Sequence, residues 1–131
     1  MNKMTLLYQR ETYLIRGACF ELYKELGCGH KEVVYQRGLE VKLHSKQLAV
    51  DREVRVPIMV NNKKVGAYVP DFVVENRVML ELKAMQCLTE QAYNQFWQYL
   101  RITPYKLGLL INFGKFGGVE IIRRVYESAR H

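Results

Sequence analysis

The spacing of apolar residues changes partway along the chain, and that change limits the fold more than any other feature. From Thr5 to Leu26 the apolar residues Leu6, Leu7, Tyr13, Leu14, Ala18, Phe20, Leu22 and Leu26 recur mainly at three and four residues, the period of an amphipathic helix. Gly27 and Gly29 stop it. A second helical pattern runs from about Glu32 to Gln47, with Val33, Tyr35 or Gln36, Leu39 and Leu43 on related turns. Beyond Val50 the period falls to two. Val54, Val56, Ile58 and Val60 alternate with Glu53, Arg55, Pro57 and Met59, as in a half-buried strand.

Asn61-Asn62 reads as a turn, and two further strands follow, Val65 to Val74 and Val78 to Ala84, joined by Glu75-Asn76-Arg77. These strands predict a three-stranded meander. Thr89 then caps a helix that runs to about Arg101, with Glu90 in its first turn and Thr103-Pro104 at its end. Lys106 to Phe113 is almost wholly apolar, as in a strand covered on both faces, and Val119 to Val125 is a last strand. The expected class is α+β, a mixed central sheet flanked by helices, in the order α-α-β-β-β-α-β-β. At 131 residues with no linker-like stretch, one domain is expected.

Charge and cysteine content narrow the function classes. Twenty Lys and Arg against thirteen Asp and Glu leave a formal charge of +7, which fits a polyanionic partner and equally fits a solvated basic face. The three cysteines, Cys19, Cys28 and Cys87, form no C-x-x-C pair, and their odd number argues against a disulfide framework. A reducing cytoplasm is the expected location, since neither a signal peptide nor a membrane-spanning apolar run is present. His30, His44 and His131 have no ligand spacing.

The chemistry is concentrated in Pro70-Asp71 and Glu81-Leu82-Lys83. With a loop at Glu75-Asn76-Arg77, Val74 faces Val78 and Asp71 faces Glu81, so both carboxylates share one face, with Cβ atoms about 5 Å apart. Lys83 joins them by the two-residue period. Two acids held this close suit a hard divalent cation, and an adjacent lysine can orient or help deprotonate water. An exposed strand face with ordinary ion pairs is the competing reading, and a D-(spacer)-E/D-x-K match arises about once by chance in such a chain. Against it, Val78-Met79-Leu80 and Ala84-Met85 flank the charges with apolar residues, and buried acids without partners are costly.

From Glu11 to Val125 the chain resembles the GxxExxY protein family, a branch of the PD-(D/E)xK nuclease superfamily. The naming motif stands as Gly29-His30-Lys31-Glu32-Val33-Val34-Tyr35, preceded by a helix similar to the family's first, Ala18 to Gly27. Pro70-Asp71 with Glu81-Leu82-Lys83-Ala84 is the second motif, Gln95-Phe96-Trp97-Gln98-Tyr99-Leu100 the third, and Gly108 to Gly114 closes the pattern. Gln98 stands where the family usually has Asn.

The resemblance implies a restriction-endonuclease-like core of α-β-β-β-α-β order and a Mg2+-dependent nuclease, with Mn2+ able to substitute. Asp71, Glu81 and the backbone carbonyl of Leu82 would be metal ligands and Lys83 the water-orienting group. Glu32 would complete the metal site, unless it is simply a helix-start acid favoured by the macrodipole. Gln95 would be the motif glutamine near the active site, unless it is an amide satisfied by backbone. Tyr35 would lie beside the site or on substrate, or else pack in the core. Tyr93 and Trp97 could stack a base, although aromatic residues at that spacing more often pack inward.

For the nucleic-acid backbone the candidates are Lys63, Lys64 and Arg77 near the hairpin ends and Arg123 and Arg124 on the last strand. The expected substrate is nucleic acid, DNA first, cut by a possible homodimer. A nucleic-acid-binding subunit that keeps the nuclease fold without turnover is the alternative. A purely structural module would leave the acids without a task.

Overall fold

The structure is a computed structural model that describes residues 7–127. Thr5, Leu6 and His131 lie outside the described residues. Helix α1 spans Gln9–Leu26 and begins later than its apolar spacing suggests, because Tyr8 takes a left-handed conformation with φ 52°. Its buried stripe of Ile15, Ala18, Cys19 and Leu22 follows helical spacing, and Gly27 at φ 66° ends it. Helix α2, Glu32–Ser45, buries Tyr35, Leu39 and Leu43 one turn apart. The two helices pack together, and Lys42–Glu25 and Lys46–Glu21 link their exposed flanks at 2.7 and 2.6 Å. Ion pairs in such solvent-screened positions contribute little, so the apolar stripes hold the pair.

Strand β1, Val50–Asp51, is followed by β2, Val56–Val60, and β3, Lys63–Tyr68, then β4, Phe72–Val74, and β5, Val78–Lys83. Helix α3, Glu90–Ile102, and strands β6, Leu107–Asn112, and β7, Glu120–Val125, complete the order. Five strands form the main sheet in the order β1-β4-β5-β6-β7. Among the described strands only β5 and β6 run parallel, and α3 supplies the crossover that a parallel pair needs. This is the expected mixed sheet flanked by helices.

The expected meander is not what forms. β2 and β3 make a separate two-stranded sheet, and the run expected as one strand, Val65 to Val74, breaks at Val69-Pro70-Asp71. Two local causes act together. Pro70 has no N–H to give a ladder, and the Asp71 carboxylate takes the N–H of Leu82, at 2.8 Å, that a continuing strand would have bonded. The β4–β5 turn does form as the sequence implies, with Val74 facing Val78 across Glu75-Asn76-Arg77. Glu75 and Asn76 are both left-handed there, at φ 54° and 55°.

Period-two alternation divides the sheet into two environments. Val78, Leu80 and Leu82 of β5 and Leu107, Leu109 and Ile111 of β6 join Ile15, Leu22, Leu39 and Leu43 in one core beneath α1 and α2. On the other face Met79 and Leu110 pack on Phe96 and Leu100 of α3 in a smaller core. Full burial of each aliphatic side chain contributes about 1.5–3 kcal/mol, so the larger core carries most of the stability. Thr89 caps α3 by accepting from Ala92 N–H at 3.1 Å, as expected.

Beyond β5 the chain is clamped to the end of β6. The buried side chain of Asn112 accepts from Met85 N–H and donates to Met85 C=O, both at 2.8 Å, and also reaches Glu120. Gly114 lies against the same segment so closely that a Cβ there would stand 2.3 Å from Met85 N and 2.4 Å from Ala84 C. The glycine is required by contact with backbone that cannot move aside. Gly114→Ala is therefore expected to cost about 3 kcal/mol in urea unfolding, the upper range for overpacking, whereas Gly17→Ala, within α1 and in only ordinary contact with the end of Lys46 at 3.8 Å, should not destabilise. Equal losses at the two positions would contradict the clamp.

Candidate active site

The acids meet where β4 begins. The register Phe72↔Leu80, extended one residue, sets Asp71 opposite Glu81. Glu81 and Lys83 share the parity of Met79, so they emerge on the α3 face of β5, beyond the apolar contacts of Met79 with Phe96 and Leu100. Asp71 Oδ2 accepts from Leu82 N–H at 2.8 Å, and Asp71 N–H donates to Glu81 Oε1 at 3.3 Å. Each acid is therefore held by the strand that carries the other.

A second ring of contacts fixes them further. Tyr68, the last residue of β3, donates its hydroxyl to Glu81 Oε1, and its ring stacks on Tyr99 of α3 with centroids 3.8 Å apart. Gln36 of α2 donates its amide to Asp71 Oδ1 and to Glu32 Oε2, both at 3.2 Å. Leu82 N–H faces the position that β4 has vacated. Because N–H and C=O of one strand residue point to the same side, Leu82 C=O faces that opening too, whereas Lys83 C=O accepts from Phe113 N–H at 2.9 Å.

The electrostatics are those of two acids short of positive charge. Burial, then the charge of Asp71, pushes the Glu81 carboxyl up to about 7, against hydrogen bonds from Tyr68 and Asp71 N–H and the attraction of Lys83. Burial raises Asp71 as well, opposed by Leu82 N–H and by Lys83. Burial and then Asp71 raise Glu32, with Lys83 opposing. Tyr68 lies far above the usual phenol range through burial and the adjacent Glu81 charge, so its hydroxyl stays a donor. Among the described residues no ion pair reaches Asp71 or Glu81.

A divalent cation would relieve this imbalance, and the donor set fits one. Two carboxylates and a carbonyl offer hard oxygens, and Mg2+ commonly takes one or two carboxylates while keeping several waters. Among the described residues no cluster of three or more His, Cys, Asp or Glu side chains forms. Glu32 is joined to Asp71 through the Gln36 amide instead of standing beside it. A cleft of about 350 Å3 opens at Asp71, with Gln36, Arg37, Arg52 and Glu53 along it.

A sequence profile of the PD-(D/E)XK nuclease superfamily matches residues 9–125. The chain belongs to this superfamily. No curated protein and no solved structure matches it. In this PD-(D/E)XK protein the residues that spell the name, Pro70-Asp71 and Glu81-Leu82-Lys83, are the ones gathered at the mouth of the β4–β5 pair.

Several candidates fall elsewhere. Tyr35 is a core residue, not a surface contact: its side chain is fully buried, stacks on Phe113 and donates to Gly27 C=O at 2.6 Å. Arg77 lies at the opposite end of the β4–β5 hairpin from Asp71, paired with Glu11 at 2.9 Å and set over the ring of Tyr8. Arg123 packs near α1 and donates to Leu7 C=O, and Arg124 is held by Tyr93 Oη at 2.6 Å. Gln95 is exposed on α3 one turn before Tyr99, and among the described residues no hydrogen bond ties it to the acids. Trp97 is half-buried against the α3 core and makes a T-shaped contact with Tyr126. Lys63 and Lys64 are exposed at the tip of the β2–β3 hairpin.

Tyr68 and Gln36 were not evident from sequence. Tyr68 is three residues from Asp71, an odd interval that puts it on the opposite face of any continuous strand, and only the break at Pro70 turns it toward Glu81. Gln36 did leave a signal. It follows Glu32 by four residues, a closer helical alignment than Tyr35 at three.

Raised acids make the fold less stable as pH rises. The folded value of Glu81, about 7, exceeds its ordinary 4.5, so its contribution is fully present below 4.5 and is lost as pH climbs through 7. At 1.36 kcal/mol per pH unit the gap corresponds to about 3 kcal/mol. Denaturant unfolding in EDTA should find Glu81→Gln close to wild type near pH 4.5 and more stable by about that amount at pH 8. A glutamine variant less stable than wild type at pH 8 would show that the charge is already compensated.

Proposed function

We propose that this protein is a metal-dependent nuclease that hydrolyses phosphodiester bonds in nucleic acid, DNA in preference to RNA. The observation that carries the reading is the pair Asp71 and Glu81, half-buried, mutually hydrogen-bonded through backbone and without a cationic partner, with Lys83 on the same face. A fold does not keep two such acids without a compensating ligand unless function requires them.

Asp71, Glu81 and Leu82 C=O would hold Mg2+, with Mn2+ able to replace it. The ion supplies positive charge for the water that attacks and for the phosphate oxygens on which negative charge develops. Lys83 sits two residues from Glu81 on one strand face, where its ammonium can orient that water and offset charge on the phosphate. Tyr68 keeps Glu81 aimed at the opening, and the Leu82 N–H does the same for Asp71. Glu32 acts at one remove through Gln36.

The GxxExxY branch is the finer assignment we propose, and each named position has a structural reason. Gly29 takes φ 104°, which only glycine adopts without strain, Glu32 opens α2 and reaches Asp71 through the Gln36 amide, and Tyr35 pins the loop through Gly27 C=O. A second reading, a nucleic-acid-binding subunit without turnover, is favoured by the Tyr68 hydrogen bond, which satisfies part of Glu81 without any metal.

Plasmid, single-stranded DNA and RNA incubated with Mg2+, Mn2+ or EDTA separate the two. Metal-dependent cleavage should fall at least about 100-fold in Asp71→Asn and Lys83→Met. Saturating Mg2+ should also raise the melting temperature of wild type, by the equivalent of about 2.7 kcal/mol at one hundred times its Kd, and leave Asp71→Asn unchanged. Nucleic-acid binding with neither cleavage nor a metal-induced shift would establish the non-catalytic subunit.

A further inference from the structure

The β2–β3 hairpin is a ribbon that leaves the body of the protein. Its root is anchored, with Val56 and Tyr68 buried and paired, and Ile58 half-buried against the α3 core. From Met59 to Val65 every residue is exposed, including Met59 at 51%, Val60 at 56% and Val65 at 63%. The tip is a tight turn with Asn61 and Asn62 left-handed at φ 49° and 63°, the geometry of a stiff two-residue hairpin. Residues 54–68 carry Arg55, Lys63 and Lys64 and no acid, in a chain that elsewhere mixes both signs.

We propose that this ribbon is an arm that enters the major groove of duplex DNA and sets the duplex against the acids. Only the second half of that statement rests on the nuclease reading. Dimensions select the groove. Two strands about 4.8 Å apart with their side chains fill a major groove about 12 Å wide but not a minor groove of about 6 Å. From Ile58 to Asn61 the arm projects three residues, about 10 Å at 3.3 Å per residue, close to the major-groove depth of about 8.5 Å. In A-form RNA the major groove is too narrow for side chains to read.

The chemistry of the arm agrees. Lys63 and Lys64 match phosphates, while Met59, Val60 and Val65 offer apolar contact to thymine methyl groups. The exposed stretch has no aromatic residue on which single-stranded bases could stack. Pairing with a second copy is disfavoured, because Pro57 removes a donor from β2 and two lysines begin β3. The root ends in Tyr68, which bonds Glu81, so arm and site share a residue. Lys63 lies five residues from Tyr68, about 17 Å of strand at 3.3 Å per residue, so the tip contacts lie within about that distance of the root at the site.

The test is binding of the whole chain, in EDTA so that nothing is cut, to labelled duplex DNA, single-stranded DNA and duplex RNA. Wild type should prefer duplex DNA, and Lys63→Glu/Lys64→Glu should bind it at least about tenfold more weakly, with a salt slope lower by about 2. Both lysines are exposed, so the melting temperature should not change, and Lys63→Gln/Lys64→Gln should give an intermediate loss. Methylation of guanine N7 in the major groove should interfere with binding, whereas methylation of adenine N3 in the minor groove should not. Unchanged affinity in the double variant, interference from adenine N3, or equal affinity for the other two nucleic acids overturns the arm. Ribbon-dependent binding by a protein that cleaves nothing in Mg2+ keeps the arm and removes the nuclease reading. Cleavage with ribbon-independent binding does the reverse.

Discussion

The hydrogen bond from Leu82 N–H to the Asp71 carboxylate is the contact on which the rest of the molecule's arrangement turns. It replaces a ladder bond by a side-chain bond, so β4 can begin only after it. Because β4 begins late, its neighbour β5 is left uncovered over Glu81, Leu82 and Lys83, and an opening exists in an otherwise continuous sheet. The same break separates β3 from the main sheet and frees the β2–β3 ribbon. Together with Pro70, which has no N–H for a ladder, this polar contact accounts for both the notch at the acids and the separate β2–β3 ribbon beside it.

The two faces of the sheet divide the work of stability and chemistry. Beneath α1 and α2 a continuous apolar core runs from Ile15 to Phe113, with the buried Glu11 paired to Arg77 and the Tyr35 hydroxyl to Gly27 C=O. The opposite face carries a smaller core under α3, with Glu81 and Lys83 on the same strand face. Burying acids costs energy, and the large core can bear it. The cost is reduced by local hydrogen bonds from Tyr68, Gln36 and two backbone N–H groups, all of which hold the carboxylates without neutralising them. This leaves the pair oriented and still short of positive charge.

Segments remote from the acids are placed with equal care. Asn112 and Gly114 clamp residues 84 and 85 immediately after Lys83, so the end of β5 cannot swing. Tyr35 stacks on Phe113, next to that clamp, and joins the start of α2 to the same end of the sheet. Among the described residues no helix is long and apolar enough to cross a membrane. Three of the chain's basic residues, Arg77, Arg124 and Arg123, are engaged with Glu11, Tyr93 and Leu7 C=O.

The sequence by itself determined the three helices, strands β5, β6 and β7, the β4–β5 turn, the Thr89 cap, and the face shared by Asp71, Glu81 and Lys83. These follow from period and from one short hairpin register, which are local properties. It overreached where a residue's type suited two environments. Tyr35 and Arg77 suit a ligand as well as they suit Phe113 and Glu11, and only burial separates the cases. Tertiary structure alone decided that the run from Val65 to Val74 breaks, that Tyr68 turns to Glu81, and that Gln36 joins Glu32 to Asp71. The physical reason is competition for hydrogen bonds. A strand pattern states which residues could pair, but a single carboxylate that captures a backbone N–H on the neighbouring strand changes which ones do, and no periodicity records that exchange.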